Sequence, residues 1–188
     1  MKNRGMRKGI LNIECPMLNV EVKYKAMKHL IITASLILSA LVGFTQTIKK
    51  VKVTEVEEYV KNSDHPIVLN CWATWCAPCN EEIPYFMESV KKYSEQKVEL
   101  VLVSLDFAKS YPTKIAGQIN KKHFEATFFW LNETNADYFC PKIDPKWDGT
   151  LPSTVYINPA TGYRKFFGRP MTDRQIDLEV GRLVGLKK

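Results

Sequence analysis

Two apolar runs do most to limit the architectures open to this 188-residue chain. Ile67-Val68-Leu69-Asn70-Cys71-Trp72 and Val98-Glu99-Leu100-Val101-Leu102-Val103-Ser104 read as strands buried on both faces, the pattern of strands inside a parallel sheet. Between them, Glu81 to Gln96 has helical spacing, and Pro84 predicts a kink there because it lacks an N–H and crowds the preceding turn. Strand, helix, strand within about 40 residues is a βαβ unit, whose crossover makes the two strands parallel.

The flanking segments extend this core. Val51, Val53 and Val56 alternate partly, as an edge strand does, and Thr54 to Val60 changes to helical spacing with Thr54 placed as the N-cap. Tyr111 to Phe124 is helix-like, with Ile115 and Ile119 four apart, and Thr127 to Leu131 is a short strand. Residues 132–150 are polar and turn-rich, so they read as a connection. Ser153 to Ile157 then reads as a strand, Asn158-Pro159-Ala160-Thr161-Gly162 as a turn, and Tyr163 to Phe167 as the antiparallel hairpin partner. A last helix starts at Thr172, with Gln175 completing a capping box, and should bury Ile176, Val180, Leu183 and Val184. The hydrophobic content of 45% and charged content of 25% suit one globular domain.

The net charge of +7 suggests nucleic acid or membrane only until it is divided along the chain. Residues 1–45 carry seven Lys or Arg against two Glu, whereas residues 46–188 carry twenty basic against eighteen acidic groups. That balance removes the case for nucleic-acid binding by bulk charge. The basic part has another explanation: Met27-Lys28-His29, an apolar stretch from Leu30 to Phe44, and then polar Thr45-Gln46-Thr47 form a secretory signal pattern. About 15 apolar residues fall short of the roughly 20 that span a bilayer. The expected organisation is an upstream extension or misassigned start over 1–26, a signal peptide over 27–45, and a domain over 46–188. An uncleaved N-terminal anchor is the alternative.

Export bears on the thiols, since disulfides persist outside the cytoplasm. Cys15 precedes the signal segment, leaving Cys71, Cys76, Cys79 and Cys140 in the mature chain. Cys76-Ala77-Pro78-Cys79 stands at a strand-to-helix junction, where unpaired N–H groups and the positive end of the helix favour thiolate. Cys76 is then the exposed nucleophile and Cys79, one turn in, the resolving thiol that releases a mixed disulfide. A structural bridge and half of a zinc site are the competing readings, although Cys140, His65 and His123 are too scattered to supply the usual second pair. Cys71 suits a small core residue, Cys140 a solitary loop thiol, and a Cys71–Cys140 bridge is a further alternative.

Trp72-Ala73-Thr74-Trp75-Cys76-Ala77-Pro78-Cys79, with Glu82 and Pro84 after it and Leu151-Pro152-Ser153-Thr154 much later, resembles the thioredoxin superfamily. Within it, the chain is similar to the exported TlpA/ResA-like thiol-disulfide oxidoreductases, over about residues 48–186. The resemblance implies an α/β thioredoxin-like fold: a central mixed sheet flanked by helices, with an insertion before the C-terminal hairpin that Tyr111 to Phe124 fits. It implies a protein disulfide reductase using the Cys76/Cys79 dithiol, without metal or separate cofactor, possible service in cytochrome c maturation included. Asn70 stands where cytoplasmic thioredoxins carry a buried Asp, and Glu82 matches the acid of the exported reductases, so acid-base duty is expected of Glu82. Pro152 matches the superfamily's cis-proline, with the Leu151 backbone pairing to an extended substrate. Trp75, Ala77 and Pro78 complete the implied docking surface, and Trp72 is expected in the core. The implied setting is the periplasm, with disulfide-bearing proteins as substrates, a membrane or periplasmic thiol donor, no nucleic acid, and a monomeric state. A disulfide oxidant or isomerase is the rival of the same class, and a non-catalytic CxxC module holding a metal or partner the rival of another.

Overall fold

The computed structural model describes residues 23–25, 27–29 and 47–186. Residues 23–25 and 27–29 are helical and belong to a unit distinct from Gln46–Lys188. The proposed signal segment otherwise lies outside the described residues, as do Cys15 and the rest of the upstream extension. Among the described residues, no helix is long and apolar enough to cross a membrane.

Six strands form one sheet: β1 (Ile48–Val51), β2 (Ile67–Trp72), β3 (Glu99–Ser104), β4 (Thr127–Leu131), β5 (Ser153–Asn158) and β6 (Tyr163–Phe167). Their order is β1-β4-β3-β2-β5-β6. The first four run parallel, with Ile67 paired to Glu99 and Trp72 to Ser104, and β5 and β6 complete the sheet antiparallel. The expected βαβ unit is present, its crossover being α2 (Ala77–Lys92). All six residues of β2 are buried, as a strand covered on both faces requires.

Alternation along β2 divides the core. Val68 and Trp72 face one apolar cluster with Ile83, Phe86, Phe124, Tyr156 and Ile176, covered by α2, α3 (Thr113–Lys122) and α5 (Asp173–Leu183). Ile67, Leu69 and Cys71 face the other, with Val53, Val56, Phe139, Cys140 and Trp147, covered by α1 (Val53–Lys61) and α4 (Ala136–Ile143). Trp72 is wholly buried, edge-on to Phe124 at 5.8 Å. Truncating such a side chain costs about 3–5 kcal/mol through lost burial and the cavity left behind.

Several expectations need correction. Thr54 lies inside α1, whose N-cap is the extended Lys52. The helix starts earlier because Val53 must enter the core, and carboxylates replace the expected hydroxyl: Lys52 N donates to Glu55 at 2.8 Å and Val53 N to Glu133 at 3.4 Å. Helix α2 begins at Ala77, not Glu81, and Pro84 sits within it. Residues 132–150 contain α4, so Cys140 is a buried helical residue and not a loop thiol. The apolar face of Phe139, Cys140 and Ile143 packs this helix on the sheet despite Pro141. At the C-terminus, Thr172 caps α5 with Gln175 as expected, while Val184 is only half-buried. The hairpin also matches its expected span, and Gly162 takes the left-handed φ of 69° at its turn.

Candidate active site

The site gathers where β2 ends and α2 begins. Cys76 is the N-cap of α2, and its Sγ accepts a hydrogen bond from Cys79 N at 3.3 Å, so sulfur takes the place usually held by a capping oxygen. Cys76 and Cys79 are joined as a disulfide. Cys76 is 5% exposed and Cys79 not at all, so the nucleophile expected at the surface is almost wholly buried in the disulfide form. Trp75, by contrast, is 56% exposed, and Ala77 and Pro78 are exposed beside it.

Glu82 lies one helical turn beyond Cys79 and is 2% exposed. Its carboxylate accepts from Asn70 Nδ2 and from Met171 N, each at 3.0 Å. Burial pushes its pKa up to about 7, with the Met171 N–H and the Asn70 amide pulling the other way. Both ends of that carboxyl are thereby fixed, one from β2 and one from the chain entering α5. Asn70 also donates to Thr154 Oγ1 at 3.0 Å, which ties β2 to β5 at the level of the acid. Neighbouring Glu81 is exposed on the outer face of α2.

The Leu151–Pro152 bond is cis. Pairing of Cys71 with Ser153 puts Pro152 beside the end of β2, where the cysteine loop departs. Pro152 is buried and Leu151 half-buried against both apolar clusters. The fold therefore brings Trp75, the two cysteines, Glu82, Leu151 and Pro152 to one end of the central strands. Cys71 stands apart on the opposite face of β2, a free thiol like Cys140.

Three residues that sequence reasoning missed hold the cysteine loop. The buried Asp106 carboxylate accepts from Thr74 N at 2.9 Å, Thr74 Oγ1 at 2.6 Å and Ser104 Oγ at 2.9 Å. Asn80 Nδ2 donates to Cys76 O at 2.6 Å and Ala73 O at 3.2 Å, and Gln118 on α3 donates to Asn80 Oδ1 at 2.8 Å. Apart from the local Ser104–Asp106 bond, their bonds run to backbone or across long sequence separations, so no periodicity or spacing advertises them. The position of Asp106, two residues past the end of β3, is the one available signal.

A mixed sheet with a βαβ core, a CxxC at the start of the crossover helix and a cis-proline beside it defines a thioredoxin-fold protein. Solved structures agree on the fold: the thioredoxin-related protein from Neisseria meningitidis serogroup B matches with a TM-score of 0.54 and 24% identity over 66% of this chain and 88% of that one. A thioredoxin family thiol:disulfide interchange protein from Chlorobium tepidum TLS matches with a TM-score of 0.53 and 18% identity, covering 69% and 85%. The AhpC/TSA family model matches residues 39–160, and the chain belongs to that family. Among its relatives, the thiol-disulfide oxidoreductase ResA of Bacillus subtilis (strain 168) is 31% identical over 110 residues, 58% of this chain and 56% of that protein. The ResA of Oceanobacillus iheyensis is 33% identical over 93 residues, 50% and 44% of the two chains. The chain thus spans about half the length of these relatives.

Proposed function

We propose that this chain is an exported thiol-disulfide oxidoreductase that reduces disulfides of partner proteins through Cys76 and Cys79. The observation that carries the reading is the placement of the pair across the N-cap and first turn of α2, with a buried carboxyl one turn further in. In the reduced protein, the Cys79 N–H and the positive helix end favour the Cys76 thiolate. That thiolate attacks one sulfur of the partner's disulfide; the partner's S–S bond breaks, its other sulfur leaves and takes up a proton, and a Cys76–partner disulfide forms. Glu82, as carboxylate, takes the Cys79 proton, and the Cys79 thiolate attacks Cys76 Sγ. The mixed disulfide breaks, the partner leaves as a dithiol, and the Cys76–Cys79 disulfide forms, so two electrons have passed to the partner. A thiol donor in the membrane or periplasm returns the protein to its dithiol state. An acid titrating near 7 suits both directions of this proton transfer.

Trp75, Ala77, Pro78 and the Leu151–Pro152 backbone form the docking surface for an extended partner segment, and apocytochrome c is the substrate that the family resemblance favours. Cys76→Ser should abolish insulin-disulfide reduction, and Cys79→Ser should accumulate mixed disulfides, whose trapped partners in the native compartment identify the substrates. Full turnover by Cys76→Ser overturns the reading. A reduction potential well above that of periplasmic reductases would instead assign an oxidant, and stoichiometric metal with no dithiol turnover a binding module.

A further inference from the structure

The segment Ala73–Cys76 connects β2 to α2 outside both elements, yet its carbonyls are held from one side by a single amide. Asn80 is 9% exposed, and its Nδ2 reaches Cys76 O at 2.6 Å, Ala73 O at 3.2 Å and Thr74 O at 3.4 Å. Such a contact works only while the nitrogen, and not the oxygen, faces the carbonyls; reversed, the amide would set Oδ1 against Cys76 O. The carbonyls, which can only accept, select the nitrogen, and Gln118 holds that orientation from the other side, its Nε2 donating to Asn80 Oδ1 at 2.8 Å.

Gln118 is itself carried on a fixed platform. Tyr111, just before α3, stacks on Trp130 with ring centroids 4.4 Å apart, and its hydroxyl donates to Ile48 O at 3.2 Å. Trp130 Nε1 donates to Asp106 O at 2.7 Å, while the Asp106 carboxylate holds Thr74. The contacts therefore close a ring around the cysteine loop: Thr74, Asp106, Trp130, Tyr111, α3, Gln118, Asn80 and back to Cys76.

We propose that Gln118 is a positioning residue for Cys76: acting through Asn80, it fixes the Cys76 backbone so that Sγ stays aligned with the Cys79 N–H. The role rests on the reading of Cys76 as the attacking thiol. It assigns α3 a part in the exchange chemistry without contact to the reacting sulfurs. A small displacement of a reacting group is enough to cost one to two orders of magnitude in rate.

The test is a double-mutant cycle on reduced protein, read as the iodoacetamide alkylation rate of Cys76 against pH by site-resolved mass spectrometry. Gln118→Met keeps volume and neutrality but removes the donor, and Asn80→Ala removes the latch. The Cys79 thiol beside Cys76, and the Glu82 and Asp106 carboxyls near the loop and its helix, stay in place in both. Gln118→Met is expected to lower the Cys76 rate at pH 7 by about tenfold and to move the midpoint of its pH profile upward, while the protein stays folded and its melting temperature falls only slightly through the lost bond to Asn80 Oδ1. Asn80→Ala should do at least as much, and Gln118→Met should add nothing in the Asn80→Ala background. Wild-type rate and midpoint in folded Gln118→Met, or additive effects, overturn the proposal. Should Asn80→Ala fail to fold, Gln118→Met alone decides by the same readout. Because alkylation needs no partner, absence of insulin reduction by the wild type would defeat the functional reading while leaving the latch to be judged separately.

Discussion

Glu82 is the residue whose environment has the most measurable consequence. Its folded pKa of about 7 is raised above the ordinary 4.5 by burial. Below pH 4.5 the group is neutral in both folded and unfolded chains and affects stability little. As pH rises from 4.5 towards 7, the unfolded chain ionises first, so stability is lost, and the loss is complete above the folded pKa. The difference corresponds to about 3 kcal/mol. Relative to wild type, the melting temperature of Glu82→Gln should therefore rise by about 5–10 °C between pH 4.5 and pH 8, on top of a pH-independent cost because the amide offers only one acceptor oxygen to Asn70 and Met171. The same variant should lose most of its disulfide-reducing rate at pH 7. A melting difference that does not change with pH would show that the carboxyl is not held neutral by burial. The family resemblance made Glu82 legible in the sequence; its hydrogen-bond partners were not, because Asn70 and Met171 reach it from 12 and 89 positions away.

At the level of elements, legibility followed burial periodicity. The strands β2, β3, β4 and the hairpin stood out because each is a short apolar or alternating run that the sheet uses as written. Helix α4 did not, because Asn135, Asp137 and Pro141 are loop-forming types locally, and only contact of Phe139 with Trp147 and burial of Ile143 make a helix worth forming. The start of α1 shifted for the same reason, with core entry of Val53 outweighing the local preference of Thr54 for a cap. A clamp at the far end of the sheet from the cysteines was equally hidden. His65 bonds Asp64 through Nδ1 and Glu99 through Nε2, each at 2.8 Å, while Glu99 also accepts from Tyr59 and Thr127. The Asp64 bond first and the Glu99 bond second raise the His65 pKa, against the effect of burial. Its contribution is thus complete below about pH 6.5 and fades as pH rises through the raised folded pKa. His65→Ala should lower the melting temperature by about 2 °C at pH 6, the scale of a partly exposed ion pair, and by less at pH 9. A larger loss at pH 9 than at pH 6 would reverse the assigned sign.

Across the whole molecule, the sheet separates two kinds of cysteine. The disulfide lies on the α2 side, whereas Cys71 and Cys140 belong to the cluster beneath α1 and α4. They are 1% and 3% exposed, and burial pushes their pKa values up to about 12 and about 11. At pH 8 the thiolate fraction of Cys140 is roughly one in a thousand, and that of Cys71 is smaller still, so neither competes chemically with a thiol at a helix N-terminus. This partition explains how a domain that carries Cys71 and Cys140 can cycle the Cys76–Cys79 pair without scrambling. Site-resolved alkylation after mild reduction should label Cys76 within minutes at pH 8 and leave Cys71 and Cys140 unlabelled. Adding denaturant should bring the last two up together, at rates that follow the global unfolding transition, because both lie in a core that opens only when the sheet does. Native labelling of Cys71 or Cys140 at the Cys76 rate, or a Cys71–Cys140 disulfide in the oxidised protein, would mean that the far face opens during the redox cycle and that the sheet does not keep the two sets apart.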